Sequence, residues 1–245
     1  MSTDIRIHRF TEVTSTNDTI RQYITDPGCV GTVVAAERQT EGRGKLGRKW
    51  IQPDEHCSIM ISAVVGTSRN IERFSEVSFV VGVAVYEFIK KTFETNPKIK
   101  WVNDIMLSGK KVCGILVETV NRGTATYAIA GIGINITQDS FPEELPNATS
   151  VFLETDRKYD VKVCEKILAT TLFKTMEEYY EKGFDHIMDI YDRHLWGIGK
   201  EAEVVCTDRT VRGIILGTGK GGELLIKDSD GVTEVTAAEE IKVIY

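Results

Sequence analysis

The stretch IKWVNDIMLSGKKVCGILVETV, residues 99–120, decides how the rest of the chain is read. IKWVNDIML (99–107) and KKVCGILVETV (110–120) are apolar, β-branched runs, and Ser108 and Gly109 between them carry a turn signal. The spacing predicts two extended segments folded back on each other. TYAIAGIGINI (126–136) has the same texture and predicts a third neighbour in one sheet.

Further strands are expected at IRIHRF (5–10), GTVVAAER (31–38) and CSIMISAVV (57–65). STNDTIRQYI (15–24) opens with Ser15 or Thr16 as a helix N-cap. A long helix is expected over 71–95, capped by Asn70, with Phe74, Val77, Val81, Val85 and Phe88 as its apolar stripe. Two more are expected at Val161–Lys182 and Phe184–Trp196. Beyond LWGIGK (195–200) the texture becomes short strands and tight turns, which predicts a small β-barrel of about five strands. The chain therefore reads as α/β: a mixed sheet with flanking helices over 1–197, and a small barrel over 198–245.

Composition bounds the function. A net charge of -6 argues against a general nucleic-acid binder, which carries a broad basic face, and leaves room for a local basic patch that would point to a small anionic ligand. Cys57, Cys113 and Cys206 lie in apolar runs and read as small buried hydrophobes. With Cys29 and Cys164 they form no C-x-x-C pair, and His8, His56, His186 and His194 do not cluster with them, so no structural zinc is expected. The start lacks a basic segment followed by an apolar core, and no run is long enough to span a bilayer. A reducing cytoplasm is the expected compartment. GTGKGG (217–222) matches G-x-G-x-x-G, but a strand-like segment follows it where a dinucleotide site needs a helix, so it reads as a hairpin turn.

Against that acidic background stands EGRGKLGRKW (41–50). Arg38, Arg43, Lys45, Arg48 and Lys49 face one acid, Glu41, in a glycine-rich segment expected to form neither stable helix nor strand. Glycine lets backbone N–H groups turn toward an anion, and arginine offers a planar fork for phosphate or carboxylate. Such a loop would be mobile when empty and ordered when filled. Taken alone, it is equally a solvated loop with Trp50 tucked into the core.

GRGKLGRKW, KWVNDIML, GKKVCGILVE and GIGINI, in that order and with STN at Ser15–Asn17 upstream, resemble the biotin–protein ligases along essentially the whole chain. The resemblance implies an α/β catalytic domain followed by an SH3-like barrel. It implies formation of biotinyl-5′-AMP and pyrophosphate from biotin and ATP, then transfer of biotin to a lysine of a biotin carboxyl carrier domain. Lys111 and Arg43 would be catalytic, at the biotin carboxylate and α-phosphate. Biotin would be held by Ser15, Thr16, Asn17, Gln39, Gly42, Arg43 and Lys111, with Gly114 and Gly131 letting the ligand lie against the backbone. ATP would meet Arg43, Lys45, Arg48, Trp50, Asn103, Asp104, Lys111 and Asn135, with Trp50 on the adenine and Asp104 a candidate Mg²⁺ ligand.

Outside that resemblance, Ser15 and Thr16 read as helix caps, Lys111 and Asp104 as hairpin-end residues, and the two glycines as a bulge or tight crossing. Lys45 replaces a usual arginine and Val102 a usual proline. The first loses a bidentate fork and the second a conformational constraint. The resemblance also implies a homodimer. Because the catalytic pattern begins within the first twenty residues, no DNA-binding domain and no specific DNA binding are expected. A lipoate ligase or octanoyl transferase of related fold, and a non-catalytic biotin sensor, are the competing functions.

Overall fold

The computed structural model describes residues 3–25, 27–52, 57–236 and 240–243; His56 lies outside them. Strands β1 (Arg6–Val13), β2 (Thr32–Gln39) and β3 (Ser58–Thr67) come first, with the short helix α1 (Thr16–Thr19) between β1 and β2. Helix α2 (Val77–Phe93) leads to β4 (Lys98–Lys100), β5 (Asp104–Leu107), β6 (Lys110–Arg122) and β7 (Ala125–Asn135). Helices α3 (Val151–Thr155), α4 (Val161–Lys182) and α5 (Phe184–Arg193) follow. The chain ends in β8 (Glu201–Val205), β9 (Thr210–Thr218), β10 (Leu224–Lys227), β11 (Val232–Val235) and β12 (Glu240–Val243).

Seven strands form one mixed sheet in the order β1-β2-β3-β7-β6-β5-β4, with β1 and β2 parallel and the other neighbours antiparallel. The three segments read as neighbours are indeed β5, β6 and β7. The expected run 99–107, however, is two strands, because Trp101–Asn103 turn and bring Lys100 opposite Asp104. The remaining five strands form an antiparallel sheet, β11-β10-β9-β8-β12; GTGKGG gives the end of β9 and, as expected, a turn, over 219–223, into β10.

Helix α2 covers one face of the large sheet. Val77, Val81, Val85 and Phe88 are fully buried on its inner side. It starts later than the stripe suggests. Asn70 Oδ1 accepts from the Thr67 N–H at 2.8 Å, closing a turn, and Arg73 is extended, so α2 begins only at Val77. Helix α5 likewise stops at Arg193, because His194–Trp196 leave it to bridge Ile99 in β4. Ser15 stands at the α1 N-cap position, but its carbonyl, not its hydroxyl, accepts from Asp18 and Thr19. Of the three cysteines expected inside, Cys113 is buried; Cys57 and Cys206 lie just beyond strand ends and are half-buried.

The two sheets share one apolar core. Ala202, Val204, Ile215 and Leu224 join the cluster built on α2 and the large sheet. Trp101 Nε1 donates to the Gly222 carbonyl at 2.8 Å, and Thr218 Oγ1 donates to Asp192 at 2.9 Å. Among the described residues, no helix is long and apolar enough to cross a membrane. Helix α4, which packs on α2, is started by the Asp160 carboxylate accepting from the Val163 N–H at 3.1 Å. Asp160→Ala is expected to lower stability by about 1 kcal/mol, measured as a lower urea midpoint at unchanged slope.

Candidate active site

Strand pairing builds the floor of the site. Asp104, Gly114, Gly133 and Met60 lie in one row across β5, β6, β7 and β3. Leu116, Gly131, Ser62 and Val34 form the next row. Side chains two apart on a strand share a face, so three glycines clear one patch of that face.

Lys111 reaches this patch through a register shift. Gly114 and Leu116 point to the site, so the odd-numbered Lys111 would point into the core in a regular strand. Between Ile105 opposite Cys113 and Met106 opposite Lys111, the β5–β6 pairing slips by one residue. Such a bulge re-aims the side chains beyond it. The Lys111 backbone is fixed there on its other side as well: its N–H donates to Asn147 at 2.7 Å, and its carbonyl accepts from Thr149 at 2.9 Å. The Lys111 ammonium lies 2.8 Å from Asp104 Oδ1.

The glycine loop folds back on itself. Trp50 N–H donates to the Gly42 carbonyl at 2.9 Å, Arg43 bridges Lys49, and Lys45–Gly47 make a single 3₁₀ turn. As expected it adopts neither α-helix nor strand, but chain reversal lets its own backbone groups pair. Gly42 serves that closure and is not among the cavity-lining residues. Arg43 does not point at Lys111. Its two terminal nitrogens donate to the Asp18 carboxylate at 2.7 and 2.8 Å. That hydrogen bonding holds Asp18 below the usual carboxylate range and raises Arg43. The pairing is therefore present at neutral pH and lost as pH falls through the lowered Asp18 value.

Trp50 folds down onto the glycine patch. A Cβ on Gly133 would meet its indole at 2.7 Å, and one on Gly114 would meet it at 3.0 Å. Its Nε1 is buried with no hydrogen-bond partner among the described residues. At Gly131 it is the Asn17 amide that fills the space a side chain would take. The glycines expected to let a ligand touch the backbone are thus, here, covered by Trp50 and Asn17.

These parts surround one cavity of about 350 Å³. At one end, the buried Thr16 and Asn17 and the half-buried Gln39 form a polar network. Gln39 Oε1 accepts from the Thr16 N–H at 2.8 Å and from its hydroxyl at 3.1 Å. Ser62 Oγ lies within hydrogen-bond reach of both Thr16 and Asn17. Ser15 lines the same end. The rest of the lining carries Lys45, Arg48, Lys49, Lys100 and Lys111 with Asp104 and Glu240, while Arg43, also in the lining, is paired with Asp18. Burial pushes the Lys100 amine below its usual range, and its ammonium lies 5.2 Å from the Trp196 ring centre. Such a cavity can take a ligand polar at one end and anionic at the other.

Asn103 also lines the cavity, yet its amide donates to the Ile115 carbonyl at 2.8 Å and so ties the β4–β5 turn to β6. Asn135 does not line it. It is buried, and its amide donates to the Thr149 carbonyl at 3.0 Å, a fastening of the segment that holds Lys111. Sequence reasoning missed Asp18, Ser62, Lys100, Glu118 and Gly133. Lys100 in KWVNDIML, Glu118 in GKKVCGILVE and Gly133 in GIGINI lie inside the motifs that carry the resemblance, whereas Asp18 and Ser62 lie in none of them.

Comparison with known proteins identifies the family. Residues 9–135 match the model of the biotin/lipoate A/B protein ligase family. The bifunctional ligase/repressor BirA of Bacillus spizizenii is 29% identical over 231 residues, covering 93% of this chain and 71% of that protein. A biotin–[acetyl-CoA-carboxylase] ligase of Paracoccus denitrificans is 29% identical over 222 residues, covering 87% and 91% of the two chains. The biotin protein ligase of Aquifex aeolicus, solved with biotin and ATP, superposes with a TM-score of 0.86 at 27% identity over 97% of this chain and 99% of that one. On its sequence and its fold, this chain belongs to the biotin/lipoate A/B protein ligase family.

Proposed function

We propose that the protein is an ATP-dependent biotin–protein ligase. The observation that carries this is a single cavity with a donor–acceptor network at one end and a cluster of cations at the other. The first suits the ureido ring of biotin, and the second suits its carboxylate together with the phosphates of ATP.

In the first step a biotin carboxylate oxygen attacks the α-phosphorus and pyrophosphate leaves, giving the mixed anhydride. Both reagents are anions, and Lys111 offsets their repulsion at the point of contact. Arg43 leaves Asp18 for the new anion, while Lys45 and Arg48 meet the phosphates. Lys45 does so as a point charge without a fork. Trp50 lifts from the glycine patch to stack on the adenine. With the loop closed, water is kept from the anhydride. In the second step the neutral amine of a carrier lysine attacks the biotinyl carbon and AMP departs.

Magnesium suits this site only as a companion of the nucleotide. Among the described residues no group of three or more histidine, cysteine or acidic side chains could hold an ion. Asp104 supplies one carboxylate, and an ion held by one carboxylate plus substrate phosphates is ordinary for Mg²⁺. The same reading makes a biotin carboxyl carrier domain the partner, pairs two copies of the chain, and places the division between catalytic unit and C-terminal sheet near Gly197.

Exchange of labelled pyrophosphate into ATP tests the proposal. Exchange should require biotin. Exchange driven by lipoate, with no response to biotin, would assign the chain to the lipoate branch of the family.

A further inference from the structure

Glu118 stands outside the cavity, one row further along β6 than Leu116, on the same face as Gly114. Its Oε2 accepts from Asn17 Nδ2 at 2.8 Å and from Arg21 at 3.4 Å. A carboxylate only accepts hydrogen bonds, whereas an amide has one donating and one accepting end. Glu118 therefore selects one of the two orientations open to the Asn17 amide. With Nδ2 held outward, Oδ1 turns toward Ser62 and Gly131, at the cavity floor. Gln39 is oriented the opposite way: Thr16 occupies its oxygen, and its Nε2 donates one hydrogen to Met60 Sδ at 3.4 Å and has the second left to donate.

We propose that Glu118 is a positioning residue that fixes Asn17 as an acceptor, so that Asn17 and Gln39 present complementary ends to a cyclic urea. This rests on the biotin reading above. The Asn17 oxygen accepts an N–H of the ring, and the Gln39 amide donates to its carbonyl. Were the Asn17 amide free to flip, half of its orientations would set one donor against another. The carboxylate thereby sets selectivity for the ureido group without touching the ligand, and its charge is balanced from the solvent side by Arg21.

The test is pyrophosphate exchange with biotin and ATP varied separately. Glu118→Ala should raise the KM for biotin at least tenfold, with kcat and the KM for ATP within threefold. Glu118→Gln should recover most of that loss, because its amide oxygen still accepts from Nδ2. Asn17→Ala should raise the biotin KM as well, and the double variant should be no worse than Asn17→Ala alone. A reversal of polarity covers the case in which Glu118→Ala fails to fold. Asn17→Asp sets two carboxylates against each other and should raise the biotin KM. Adding Glu118→Gln to it supplies a donor in place of an acceptor and should lower that KM again at least fivefold. An unchanged biotin KM in Glu118→Ala, multiplying effects in the double variant, or no recovery on polarity reversal would each overturn the proposal. A wild-type protein with no biotin-dependent exchange would instead overturn the biotin reading, and this inference with it.

Discussion

Lys111→Ala is expected to slow biotin-dependent pyrophosphate exchange by about 10³-fold, while calorimetric biotin affinity stays within about fivefold. Two unit charges about 4 Å apart repel by roughly 4 kcal/mol at an effective dielectric near 20. Each 1.4 kcal/mol of barrier is about a factor of ten in rate. The repulsion exists only when carboxylate and α-phosphate approach, so its relief acts on the reaction more than on biotin binding. Lys111 also neutralises Asp104 at 2.8 Å, and its removal leaves that carboxylate facing the reacting anions. The double variant Lys111→Ala/Asp104→Asn separates the two contributions. It should recover part of the lost rate and remain far below wild type. Full recovery would reduce Lys111 to a partner of Asp104, and an unchanged rate in the single variant would remove it from the chemistry. A wild-type protein that binds biotin and supports no exchange would be a sensor, not a ligase.

The fold was legible wherever a single segment carries its own pattern. The valine stripe of α2, the apolar runs of β3 and β7, and the change of texture after Gly197 are local facts of the sequence, and the structure follows them. The errors fall where a segment is decided by its neighbours. The run 99–107 has uniform β texture but breaks into β4 and β5, because Asn103 is tied to Ile115 across the turn. Asn70 looks like a helix cap and closes a turn on Thr67 instead. The site behaves in the same way. Lys111, Arg43 and Thr16 stand in recognisable motifs, but the register shift that aims Lys111 involves pairing with β5, which no motif records. Asp18 is a single acid with no local signature, and Glu118 closes GKKVCGILVE with nothing in that run to mark its partner. Their importance comes from partners 25 and 101 residues away in sequence, Arg43 and Asn17.

Gly131→Ala is expected to weaken biotin binding by about 30- to 1,000-fold while leaving the fold intact. The backbone at this position is ordinary strand, so alanine costs nothing in conformation. The cost lies in space. A Cβ at Gly131 would come within 3.0 Å of Asn17 Cγ and 3.1 Å of Nδ2, and closer still to Oδ1. Asn17 cannot swing away cheaply, because Glu118 and Ser62 hold its two ends. Displacing the amide breaks a hydrogen bond to a carboxylate and one to a hydroxyl, together about 2–4 kcal/mol, and leaves buried partners unsatisfied. Gly114→Ala is the control. Its Cβ would meet the tip of Trp50 at 3.0 Å and the Lys111 side chain at 3.3 Å, both of which can shift. It should change biotin affinity by less than about tenfold. Calorimetry with biotin alone reads the difference, and far-ultraviolet circular dichroism checks the fold. If Gly131→Ala bound biotin within threefold of wild type, the Asn17 amide would not be part of the biotin site, and the polar end of the cavity would need another ligand.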